Sequence, residues 1–82
     1  MANSFAAPFE MYVQNDLETR ITGYRTEGAK SFVDVYLNDS TVYVGKDGQT
    51  LDEKPYLREK TVVVYAEDGT PIRAKSVVIS SK

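Results

Sequence analysis

The chain has 82 residues, with ten Lys plus Arg against twelve Asp plus Glu, six Tyr and three Phe, and no His, Cys or Trp. That length allows a single domain, and the missing Cys and His remove disulfide staples, thiolate nucleophiles and the usual structural zinc sites. The mildly acidic balance, with a pI near 5.0, supplies no cationic field to displace the counterions of a phosphate backbone.

The amino terminus, Met1-Ala2-Asn3-Ser4-Phe5, has no basic stretch ahead of an apolar run. Nowhere do about eighteen consecutive apolar residues occur, so neither a secretion signal nor a membrane span is expected. The expected location is a virion or the cytoplasm, and Asn38-Asp39-Ser40 is read as an unused match to the glycosylation sequon. A domain of this size buries only about 60 to 65% of the surface its unfolded chain exposes. With disulfides and zinc excluded, self-association or a host surface is the remaining outside support.

Residues 1–9 end in Phe5, Ala6, Ala7, Pro8 and Phe9 and show neither strand nor helix periodicity, so they read as an extended arm on a single β-domain over 10–82. From Phe9, the spacing Phe9, Val13, Leu17 and Ile21 suits a helix, while Phe9, Met11 and Val13 suit a strand. The strand is preferred, because Asn15-Asp16 is a turn pair and Thr19, Ile21, Thr22 and Tyr24 fit a pleated surface. After a turn at Thr26 to Lys30, Phe32 to Leu37 alternates cleanly. Asn38-Asp39-Ser40 predicts a hairpin into Thr41-Val42-Tyr43-Val44, which Gly45-Lys46-Asp47-Gly48 ends. Gln49 to Lys60 reads as a charged connecting loop, since Pro55 bars a helix and lacks the donor of a central strand. Thr61 to Ala66 and Ile72 to Ser80 form a second hairpin about Glu67-Asp68-Gly69-Thr70. The broken alternation at Val77-Val78-Ile79 predicts a bulge or a strand end buried on both sides. The whole pattern predicts an all-β fold, a small antiparallel sandwich or barrel of about five to six short strands.

If Val33, Val35, Leu37, Val42, Val44, Val62 and Val64 line the core, alternation sends Phe32, Tyr36, Tyr43, Val63 and Tyr65 to the outer faces. Such a face offers rigid contact area with polar tips, the character of an interface core. The plain alternative is a second core layer beneath the arm or the Gln49 to Lys60 loop. The expected interface set is Phe5, Phe9, Phe32, Tyr36, Tyr43 and Tyr65, the first two as anchors on the arm. The register of the first two strands leaves open which way Tyr12 and Tyr24 face. Asp47, Asp52 and Glu53 around Gly48 lack the spacing of a calcium loop. The scattered glycines make no phosphate cradle, and no nucleophile arrangement points to catalysis. No enzyme activity, metal or cofactor is expected.

These features predict a non-enzymatic structural or interaction protein that docks on a larger protein assembly through its arm, an open strand edge and a tyrosine face. In general character the chain resembles small phage virion accessory proteins, meaning decoration, cement or tail components. That resemblance implies a homo-oligomer or lattice-bound subunit, stabilised by the assembly it joins. Two other readings are a barrel binding single-stranded nucleic acid and a small inhibitor forming a one-to-one complex with a host protein. The nucleic-acid barrel would use Tyr24, Tyr36, Tyr43 and Tyr65 with Arg20, Arg25 and Arg73; the net negative charge disfavours it.

Overall fold

The computed structural model describes residues 7–28 and 30–80, which contain strands and turns and no helix. The strands are β1 (Phe9–Asp16), β2 (Arg20–Arg25), β3 (Phe32–Tyr36), β4 (Val42–Val44), β5 (Thr50–Leu51), β6 (Thr61–Ala66) and β7 (Ile72–Ile79). Five of them close into a barrel. β1, β2 and β3 form an antiparallel meander. β6 returns beside β1, from Phe9↔Val64 to Tyr12↔Thr61, and pairs antiparallel with β7. The ring shuts where β7 runs parallel to β3 at Val35↔Ile72 and Tyr36↔Arg73. The order β6-β1-β2-β3 is a Greek key, and closure leaves these strands few free edges. β4 and β5 extend the sheet outside the ring, along β7.

The barrel is filled by the inward half of each alternating strand. Met11, Val13, Ile21, Val33, Val35, Val62, Val64, Ala74 and Val77 are buried, joined by Leu37 and by Leu57 from the loop before β6. Two devices let so short a sheet coil into a ring. β1 carries a bulge between Val13 and Asn15, which adds local bend and twist. Opposite it, the backbone of β2 comes so close at Gly23 that a Cβ there would lie 1.8 Å from the Tyr12 carbonyl oxygen. Only a residue without a side chain fits that crossing.

The loop of residues 52–60 folds over one end of the barrel, held by a single carboxylate. Asp16 accepts hydrogen bonds from Lys54 Nζ at 2.7 and 2.6 Å, from the Leu57 backbone N–H at 2.8 Å and from the Glu18 N–H at 3.1 Å. Burial pushes its pKa up, but the Lys54 ammonium and the two N–H donors outweigh that and hold it below the ordinary value of 3.8. The loop then joins β1 at the bulge, with the Val13 N–H donating to the Lys60 carbonyl at 2.9 Å and the Glu59 N–H to the Val13 carbonyl at 2.7 Å.

Several expectations are corrected. Asn38-Asp39-Ser40 makes no hairpin between β3 and β4, because both strands run in one direction along β7, β3 against Ile72 and Arg73 and β4 against Ser76 to Val78. The corner is stepped, not reversed. The Asn38 carboxamide oxygen accepts from the Ser40 N–H, and the Thr41 hydroxyl donates to the Ala74 carbonyl at 2.9 Å while accepting from the Asn38 N–H. Tyr43 is inside at 8% exposure, and Val42 is exposed. The cause is register: Tyr43 stands beside Val77, an inward residue of β7, so β4 presents the opposite set of side chains to the core. The stretch after Gly48 is not all loop, since Thr50 and Leu51 form β5 against Val44 and Tyr43. Phe9 belongs to β1 and not to the arm. The irregularity in the last strand is a bulge at Lys75, between Ala74↔Ala66 and Ser76↔Tyr65.

Candidate functional site: an aromatic and arginine face on β1, β2 and β3

The outer face of the meander gathers side chains that alternation sends away from the core. Tyr12 on β1 stands opposite Tyr24 on β2, and Tyr24 opposite Phe32 on β3, giving one row of aromatic rings across three strands. Their exposures are 40%, 42% and 52%. The Tyr24 and Phe32 rings meet edge to face at 5.4 Å and 72°, a favoured quadrupole arrangement. Four residues further along β2 and β3, Arg20, Tyr36 and Arg73 form a parallel row across β2, β3 and β7. The Arg20 guanidinium lies over the Tyr36 ring, 5.8 Å from its centroid. Between the two rows sit Thr22, which is buried, and Asp34, which is exposed.

The electrostatics of this face are unresolved within the chain. Among the described residues the sole salt bridge joins Lys54 to Asp16, so Arg20, Arg73 and Asp34 have no ion-pair partner. The Arg20 Nε is enclosed without a hydrogen-bond partner, an arrangement that ordinarily costs stability. Arg25 lies elsewhere, stacked 4.1 Å from the centroid of Phe9, and it pairs with Met11 on the inward side of the sheet.

The expected interface residues therefore separate. Phe32 and Tyr36 stand together on this face. Tyr65 is exposed, but its neighbour is Ser76 on β7, beyond the stretch of β6 that pairs with β1. Phe9 packs against the core under Arg25. Tyr43 is buried and lines a cleft of about 280 Å³ with Leu37, Thr41, Leu51 and Lys54; burial and then the Asp16 charge push its hydroxyl pKa up. Phe5 lies outside the described residues. Tyr12 and Tyr24 were left open by sequence reasoning, yet a signal existed: Gly23 faces inward where β1 and β2 touch, which turns Tyr24 outward.

No family model, curated protein or solved structure matches this chain. Function is therefore argued from its surface. Among the described residues no three carboxylates gather to hold a metal ion, and no helix is long and apolar enough to cross a membrane.

Proposed function

We propose that this chain is a non-enzymatic interaction module that docks on a larger protein assembly, in the manner of a phage virion decoration, cement or tail component. The observation that carries the reading is the exposed face of Tyr12, Tyr24, Phe32 and Tyr36 with Arg20 beside it. Tyr and Arg are the residues most enriched where binding energy concentrates in protein interfaces. Rigid strands hold them, so little side-chain entropy is lost on docking. Co-sedimentation with large particles from the native source tests the reading. The wild-type chain pellets, and a Tyr24→Ser, Phe32→Ser variant with an unchanged melting temperature stays in solution. A double variant that pellets as fully as wild type overturns it.

A second reading has its own supporting observation. Five-stranded Greek-key barrels bind oligonucleotides on the face of their second and third strands, and Arg20, Tyr24, Phe32 and Tyr36 all lie on that face, with Arg73 beside them. Base stacking on three rings with phosphates at the two arginines is the chemistry this implies. The net charge of −2 and Asp34 at the centre of the face oppose it. Tyrosine fluorescence during titration with an oligothymidine at low salt decides: quenching that disappears as salt rises supports nucleic-acid binding.

A further inference from the structure

We propose that the first partner of this face is a second copy of the same chain, paired about a two-fold axis that lies across the strands between the Tyr36 and Asp34 rows. The inference rests on the reading of this face as a protein interface and adds the partner's identity. Its basis is self-complementarity of charge. Arg20, Tyr36 and Arg73 form one row, and Asp34 lies two residues from Tyr36 on the same strand and the same face. Among the described residues none of the three charged groups has an ion-pair partner. A two-fold rotation about the stated axis exchanges the two rows. Asp34 of each copy then falls over the partner's Tyr36, between the partner's Arg20 and the partner's Arg73. A carboxylate between two guanidinium groups accepts charge-assisted hydrogen bonds from both, and an isologous contact makes the arrangement twice.

The dimensions set the strength. Neighbouring strands lie about 4.8 Å apart and same-face residues about 7 Å apart, so the two overlapping rows on β2, β3 and β7 span only roughly 10 by 7 Å between backbone positions. That is well below the roughly 800 Å² per partner of a standard stable interface. The pair is therefore weak and reversible, formed at high local concentration such as on a shared lattice. Because charge supplies much of its specificity, it weakens with added salt.

The test is a charge swap followed by sedimentation velocity, using the full chain from micromolar to millimolar concentration. The wild type shows a reversible monomer–dimer equilibrium. Asp34→Arg alone, and Arg20→Asp with Arg73→Asp, each weaken self-association at least about tenfold, equivalent to about 1.4 kcal/mol. Mixing the two variants restores a one-to-one heterodimer, because each then presents the charge the other lacks. Melting curves establish that both variants fold. A wild type that stays monomeric throughout overturns the inference, as does a mixture that fails to restore pairing. If that monomer still pellets with large particles, the proposed docking function survives and the second-copy partner falls. If Asp34→Arg instead creates tight retention of an oligothymidine probe without any dimer in the wild type, the face belongs to nucleic acid and the inference is overturned.

Discussion

Asp16→Asn tests how the barrel's open end is sealed. The Asp16 side chain is 2% exposed and Lys54 23%. The amide keeps the shape of the carboxylate but loses its charge and turns one oxygen into an NH2 donor, so the ammonium loses its counter-ion and one of the Leu57 and Glu18 N–H groups, which bond different oxygens, loses its acceptor. Removing one member of a fully buried pair costs about 3–5 kcal/mol. Lys54 already reaches water and recovers part of that, so we expect a loss of about 2–3 kcal/mol, in line with charged hydrogen bonds worth about 1.5–3 kcal/mol each. In a domain of this size each kcal/mol moves the melting temperature by about 4–8 °C, giving a drop of roughly 8–24 °C at pH 7. The pH dependence adds a second readout. Because the folded pKa of Asp16 is lowered, its contribution is fully present above the ordinary carboxylate value and is lost as pH falls through the lowered one. The gap between wild type and Asp16→Asn is therefore wide at neutral pH and narrows as pH falls below the ordinary carboxylate value. Thermal melts by circular dichroism measure it. A variant within about 0.5 kcal/mol of wild type, the range of an ordinary surface change, or a gap that does not narrow in acid, refutes this account of the latch.

Gly23→Ala places a methyl group against the Tyr12 carbonyl, where backbone and not a flexible side chain is in the way. The β1–β2 crossing must open, and we expect a loss of more than about 3 kcal/mol or no folded protein, read by denaturant titration. Tyr43→Phe removes a phenol whose pKa is raised by burial and by the Asp16 charge. A raised pKa means that stability is present below about pH 10 and lost as pH climbs above it. The Phe variant should therefore resist alkaline unfolding better than wild type in melts taken between about pH 9 and pH 11.5.

Much of the fold was legible in residue patterns, and the exceptions share one cause. Features that are local in sequence were read correctly: β3 from its own alternation, and the β6–β7 hairpin from two β-branched runs about a turn. β4 was misread in both partner and parity, because its inward side is set by Val77 on β7, a partner more than thirty positions away that no local pattern announces. β5 escaped notice because two residues carry no periodicity at all. The site shows the same division. Phe32 and Tyr36 follow from alternation within one strand, whereas Arg20 and Arg73 join Tyr36 only through pairings on either side of β3. Their convergence is a property of barrel closure and not of any motif.

That closure also orders how the chain assembles. The meander and the β6–β7 hairpin each form from segments close in sequence, so their loop entropy is modest. Joining them into a ring requires β6 to find β1 and β7 to find β3 across an intervening stretch that includes β4 and β5. The β3 and β7 seam consists of only two residue pairs, Val35↔Ile72 and Tyr36↔Arg73. With so little backbone committed there, we expect this clasp to open more readily than the meander. Amide hydrogens along it exchange ahead of those in the meander, and a copy or host surface that grips Tyr36 and Arg73 together holds the clasp shut.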